Sequence, residues 1–260
     1  NKLYLDWYEY WLMGRENGIT SMPKVQYYVM GSNEWRSSDV WPLDDIRYTK
    51  YFLHSDGDAN SRDGDGHLYT RAPESNRSDS FIYDPADPVP SVGGARWLGG
   101  ARDQATVESR DDVLVSTTPP LDEGVEVTGP ITLVLYVSSS AKDTDITAKL
   151  VDVHPDGRAY NIQDGILRLR YRDGFTQRVW MQEGEIYEVS IDMSITSQYF
   201  AKGHRIRLQV SSSNFPNYER NLNTGGNNYD ETSWVLAENT IYHSPENPSH
   251  LLLPVIPTAE

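Results

Sequence analysis

The chain has no cysteine, which excludes a disulfide-stapled scaffold, a cysteine-ligated zinc site and a thiol nucleophile together. It also lacks any run of about eighteen uncharged apolar residues, the length a bilayer-crossing helix needs. Its first residues, Asn1, Lys2 and then aromatics with Asp6, do not follow the charged, apolar, small order of a secretory leader. The expectation is a soluble chain with no legible address, and the compartment stays open. Basic charge is scarce: 23 Lys+Arg stand against 38 Asp+Glu, a net charge of −15 over 260 residues. Because that acidity is spread along the sequence, it repels phosphate backbones and anionic lipid heads. Neither nucleic acid nor a membrane is an expected partner.

The usual catalytic and cofactor strings are missing as well. No G-x-S-x-G elbow occurs, the nearest string being Gly31-Ser32-Asn33-Glu34. There is no G-x-G-x-x-G, no P-loop and no H-E-x-x-H, so no cofactor and no metal are expected.

What is present divides in two. KLYLDWYEYWLM, from Lys2 to Met13, places Leu3, Trp7 and Trp11, and also Tyr4, Tyr8 and Leu12, at helical spacing, with Gly14 as a C-cap. Val25 to Met30 (VQYYVM) reads as a strand buried on both faces, the kind found in a parallel sheet, stopped by Gly31 and Ser32. A lone strand of that kind finds no partner in this sequence, so the pair reads as a fragment whose upstream part is missing. Asp56 to Gly66 and Tyr83 to Gly94 are turn-rich connections with little core to bury. Beyond Arg110, short strands alternate apolar and polar residues: Ile131, Leu133, Leu135 and Val137; Leu167, Leu169 and Tyr171 against Arg168, Arg170 and Arg172; Tyr187, Val189 and Ile191; Ile206, Leu208 and Val210. One-sided alternation in many strands with almost no helix predicts a two-sheet sandwich or jelly roll.

Each candidate functional residue has an ordinary structural reading beside it. His154, His204, His243 and His250 could meet a serine and an aspartate in space. For His204, at a strand start, a hydrogen bond to backbone is the ordinary use. Asp56, Asp58 and Asn60 resemble the first oxygens of a calcium loop, but Ser61 replaces the turn glycine and His67 takes the place of the bidentate glutamate. A solvated acidic linker is the better reading. Asp111-Asp112 and Asp143 with Asp145 could pair as acid and base, but adjacent residues of a strand face opposite ways, and turn-capping is favoured. Trp35, Trp41 and Trp97 lie in irregular segments where each ring needs cover from the chain, a partner or a ligand. Arg168, Arg170 and Arg172 read as a basic stripe, solvated or ion-paired between sheets.

Taken together, MGSNEWRSSDVWP (30–42), YDPADPVPSVGG (83–94), RDDVLV (110–115), SSSAKDTDITAKLVDVHPDGR (138–158), GHRIRLQVSSSNFPNYERNLNTG (203–225) and PSHLLLP (248–254) resemble the C-terminal part of the cocaine-esterase and X-prolyl dipeptidyl-peptidase group of serine hydrolases. α-Amino-acid ester hydrolases and glutaryl acylases belong to the same group. The resemblance implies a mainly β chain: a jelly-roll, galactose-binding-like β-sandwich preceded by a short remnant, one helix and one strand, of an α/β-hydrolase domain. It implies boundaries at 1–42 for the remnant and 43–260 for the jelly roll, with the linker 54–94 inside the latter. The family's Ser-His-Asp triad precedes the segment that Lys2 begins, so all three catalytic residues are absent and the chain alone is expected to be inactive. By position, Trp97 and Leu98 would line the acyl pocket, while Trp35, Arg36 and Trp41 would sit at the junction with the hydrolase domain.

The implied partners are that N-terminal hydrolase domain, the parent's ester, amide or peptide substrate, and a second copy in a possible homo-oligomer. Two other readings compete. A self-standing carbohydrate-binding module would expose coplanar aromatics on one sheet face. An independent enzyme would build a cleft around His204 or His154 with a serine and a carboxylate in reach.

Overall fold

The alternation read beyond Arg110 builds the structure, a computed structural model that describes residues 2–94 and 99–257. Helix α1 (Lys2–Met13) ends at Gly14, whose φ of 65° and N–H bond to the Tyr10 carbonyl close the last turn. Next come β1 (Val25–Val29) and β2 (Glu34–Ser38), paired antiparallel with Val29 opposite Glu34. This differs from the expected lone parallel-type strand. Gly31 and Asn33, at φ of 87° and 60°, turn the chain back on itself, so β1 becomes half of an exposed hairpin.

The sandwich comprises β3 (Arg47–His54), β4 (His67–Tyr69), β5 (Arg77–Tyr83), β6 (Leu114–Thr117), β7 (Val125–Ser139), β8 (Asp145–Val153), β9 (Ala159–Arg168), β10 (Tyr187–Phe200), β11 (Arg205–Ser211), β12 (Ala237–His243) and β13 (His250–Ile256). They form one ladder in the order β5-β12-β7-β13-β3-β4-β6-β11-β8-β9, with β10 along the free edge of β7. The ladder folds over on itself as a jelly roll. Ile131, Leu133 and Leu135 of β7 and Ile191 of β10 share one core with Ile146 and Leu150 of β8 and Ile206 and Leu208 of β11. All are essentially solvent-free, and each such side chain contributes about 1.5–3 kcal/mol relative to exposure. Period-two alternation fixes this register, because a slip of one residue would turn the set to solvent.

The connections are more ordered than their turn-rich composition suggested. Segment 54–94 contributes β4 and β5 to the ladder. In the acidic loop, Ala59 is buried, and the Asp65 carboxylate accepts the backbone N–H groups of Asp56 and Asp58. Segments 84–94 and 99–113, the latter with the short helix α2 (Ala105–Glu108), pack beside β6, β8 and β11. Val89, Val107, Val113 and Val115 make a second small core there. Beneath it Glu108 pairs with Arg207 at 2.5 Å and accepts from Gln209 at 2.8 Å, and Lys149 Nζ donates to Gln104 at 3.3 Å.

Candidate functional site

The amino-terminal face departs furthest from what a folded chain does with apolar residues. None of the twelve residues of α1 is buried. Trp11 is 59% exposed, Leu12 76% and Tyr4 70%, although an amphipathic helix ordinarily turns one such stripe inward. Its ties are local: Asn17 donates to the Asp6 carbonyl, and Arg15 pairs with Glu9. Between helix and chain, Leu3, Tyr4, Trp7 and Tyr8 face Ile19 and Met22 across a cleft of about 630 Å³. The exposed apolar surface continues on the hairpin, where Tyr28 and Trp35 meet edge to face at 5.5 Å.

The junction residues expected from the sequence fall on this face. Trp35 is 73% exposed on β2. Arg36, beside it, points the other way and binds Glu126 of β7 at 2.6 Å, fastening the hairpin to the sandwich. Trp41 packs on Tyr27, 6.2 Å between centroids, and borders a groove of about 370 Å³ shared with Met30 and Ile195. The hairpin is also joined through backbone: Met30 N donates to the Ser197 carbonyl, and Tyr199 N to that of Met30. Trp97 and Leu98, expected to line a pocket, lie outside the described residues. Gly94 and Gly100 exchange reciprocal backbone hydrogen bonds.

The histidines separate into three situations. His243 lies between Ser55 and Asp79, with Ser55 Oγ 3.0 Å and Asp79 Oδ2 2.8 Å from the same ring nitrogen, Nε2. A relay needs the acid on one nitrogen and the hydroxyl on the other. Here Ser55 donates directly to Asp79, so its proton is already committed to the acid. Burial pushes the Asp79 carboxyl up, but the hydrogen bonds from His243, the Ala59 N–H and Ser55 outweigh it and hold the group below its ordinary value. The trio is a structural knot joining β5, β12 and the end of β3. His250 bonds the Pro248 carbonyl and packs on Phe52. His204 does not bond backbone through its ring, as expected, but the Asp152 carboxylate, with His154 against it. Among the described residues, neither ring hydrogen-bonds a serine.

The remaining polar candidates are structural, though not in the way anticipated. The arginine stripe does not form, because β9 ends at Arg168 and Leu169–Tyr171 winds into a 3-10 turn. Arg170 swings inward onto Asp143 at 2.8 Å, Arg168 pairs with Asp145 at 2.9 Å, and Arg172 reaches the carbonyls of Leu169 and Val179. Asp143 and Asp145 are therefore buried counter-ions bridged by Asn221, not turn caps. Asp112 chelates Arg110. In the calcium-like loop, Asn60 spends its amide on the carbonyls of Ser80 and Asp111. Among the described residues only Asp152, His154 and His204 converge as a group of three or more possible metal-ligating side chains. The aromatic platform of a sugar-binding module is also missing from the sheet face of β10, whose exposed residues begin Glu188, Ser190 and Asp192.

A profile of the X-Pro dipeptidyl-peptidase C-terminal non-catalytic domain matches residues 17–252. The cocaine esterase of Rhodococcus sp. (strain MB1 Bresler) is 49% identical over 251 residues, covering 94% of this chain and 44% of that protein. An aminopeptidase from the marine sediment archaeon Thaumarchaeota archaeon superposes with a TM-score of 0.85 at 28% identity, over 98% of this chain and 44% of that one. An α-amino acid ester hydrolase superposes at 0.81 with 27% identity, over 96% and 44%. This chain thus spans less than half the length of these relatives. With the jelly roll and its exposed amino-terminal face, these matches establish that the chain belongs to the X-Pro dipeptidyl-peptidase C-terminal non-catalytic domain family.

Proposed function

We propose that the chain acts as the non-catalytic half of a serine hydrolase, docked through α1 and the β1–β2 hairpin onto an amino-terminal hydrolase domain. The observation that carries this reading is a helix of mostly apolar and aromatic residues with none of them buried. Water-exposed apolar area of that extent is stable surface only when another body covers it. A hydrolase domain accounts for that cover, since the relatives have more than half their length outside the matched region. Arg36 on Glu126 and the backbone bonds of Met30 make the hairpin a rigid bracket between the two bodies. Trp35 and Trp41 supply the contact surface, and Trp97 and Leu98 are the residues the family resemblance assigns to the acyl pocket. The chemistry of the assembled enzyme is acyl transfer from an ester, amide or peptide to a serine, followed by hydrolysis. The nucleophile, base and oxyanion donors come from the other half.

The test is direct. The purified chain, treated with a fluorophosphonate probe and with an activated ester, is expected to take up no label and to leave the ester at its uncatalysed rate. Stoichiometric labelling of any serine, Ser55 above all, would overturn the assignment.

A further inference from the structure

One side-chain group outside the docking face brings three metal-ligating atoms together, and the function proposed above does not use it. Asp152 is the penultimate residue of β8, His154 follows the strand's last residue, and His204 immediately precedes β11, which pairs with β8 so that Arg205 lies opposite Val153. His204 Nδ1 is 2.8 Å from Asp152 Oδ1, and His154 Nε2 is 3.9 Å from Asp152 Oδ2. The two imidazole centroids are 4.3 Å apart, and the three potential ligand atoms all lie within 4.8 Å of one another. Two donors each about 2.1 Å from a common ion are at most about 4.2 Å apart, so a small ring rotation completes the set.

We propose that Asp152, His154 and His204 form a binding site for a divalent transition ion, zinc(II) in the first instance, with its remaining coordination positions open to water. Two imidazoles and one carboxylate suit zinc and its neighbours and not calcium or magnesium, which take oxygen ligands. The support behind the ligands is already built. Gln198 of β10 donates to Asp152 Oδ2 at 3.0 Å and fixes the plane of the carboxylate, the role an outer-sphere partner plays in metal sites. His154 is held by a turn in which its own N–H bonds the Arg158 carbonyl and its carbonyl accepts from Gly157. The side chains of His154, His204 and Asp152 are 34%, 17% and 6% exposed, a gradient from entry side to floor. His154 also lines a cleft of about 460 Å³ that gives an ion its way in. Of the arginines lining that cleft, Arg207 pairs with Glu108, Arg62 lies 4.0 Å from Asp63, and Arg205 donates to the Thr118 carbonyl. Bound there, the ion would tie the end of β8 to the start of β11. It would act one residue-contact away from the junction, because Gln198 also lies beside Gly31, where the hairpin meets β10.

Titration of the chelator-stripped 260-residue chain with zinc chloride by calorimetry, with cobalt(II) absorption as a second readout, tests this. The expected result is one ion per chain, a melting temperature that rises with zinc, and a cobalt spectrum with nitrogen-ligand character. His154→Gln should weaken zinc binding at least ~10-fold, and His204→Gln at least as much, while His250→Gln leaves it unchanged. His154→Gln is the decisive variant, since its ring is partly exposed and its loss should leave the zinc-free melting temperature at the wild-type value. No binding at submillimolar zinc, or undiminished binding in His154→Gln, would overturn the proposal and leave a plain His–Asp hydrogen-bonded pair.

Discussion

Replacing Trp11 and Leu12 by alanine should do almost nothing to the chain by itself and much to its assembly. Trp11 is 59% exposed and Leu12 76%. A fully covered tryptophan removes about 250 Å² from water, so about 150 Å² of Trp11 awaits cover, equivalent to about 4 kcal/mol at about 25 cal/mol/Å². Leu12 adds about 2 kcal/mol on the same scale. None of this is realised while the helix faces solvent. In urea denaturation the double variant should therefore lie within about 1 kcal/mol of the wild type: the ring contacts of Trp11 with Trp7 and Tyr10, about 0.5–1.5 kcal/mol per pair, are partly offset by the helix preference of alanine. On docking, part of the roughly 6 kcal/mol is offset by lost freedom and imperfect fit, leaving about 2–4 kcal/mol, or roughly 30- to 1,000-fold in Kd. The assay is a titration against the co-expressed amino-terminal part of the Rhodococcus cocaine esterase, the portion this chain does not span. Loss of more than about 2 kcal/mol in the isolated chain would show that the helix is buried after all, and an unchanged Kd would show that it docks on nothing.

Three further outcomes follow from particular contacts. Asp143→Ala leaves the buried Arg170 guanidinium without its carboxylate and should cost about 3–5 kcal/mol in urea denaturation, with Asp143→Ala/Arg170→Met recovering most of it; a single-variant loss below about 1 kcal/mol refutes the pairing. Burial holds the Lys149 ammonium down to about 8, with Asp164 and Glu108 only partly restoring it. The unfolded chain then binds the extra proton between about pH 8 and 10.5, so the wild type gains stability across that window relative to Lys149→Met, by up to about 3 kcal/mol. A pH-independent difference between the two proteins refutes it. Gly31→Ala would place a Cβ 2.2 Å from the Tyr199 carbonyl oxygen at a φ of 87°. It should release the Met30 and Tyr199 amides to fast hydrogen exchange, whereas unchanged protection would mean that the hairpin is held some other way.

The legible part of the fold was the part with a local period. Ile131 to Val137 and Ile206 to Val210 alternate cleanly, and their strands and buried faces follow from that alone. The β1–β2 hairpin escaped notice because Glu34-Trp35-Arg36-Ser37-Ser38 carries no strand pattern, and its pairing depends on positive φ at Gly31 and Asn33. Alternation misled at Arg170, where a 3-10 turn rotated the side chain into the core. The knot of Ser55, Asp79 and His243 spans up to 188 residues of sequence and leaves no local trace. Asp152 and His154 are an i, i+2 pair across the end of β8, but the third member, His204, lies just before β11 and is brought near only by the β8–β11 pairing. Strings shared with a family pointed to Trp35, Arg36 and Trp41 as the proposed junction, which no periodicity could do, because an exposed apolar helix and a buried one read alike in sequence.

Hydrogen–deuterium exchange of the chain, alone and mixed with the co-expressed hydrolase portion, probes the central claim at the surface where it is made. Slowed exchange along Lys2–Met13 and Val25–Ser38, with the β10 positions Glu188, Ser190 and Asp192 unchanged, is the predicted pattern. Unaltered exchange in α1 and the hairpin, or protection gathered on the β10 face, would contradict it.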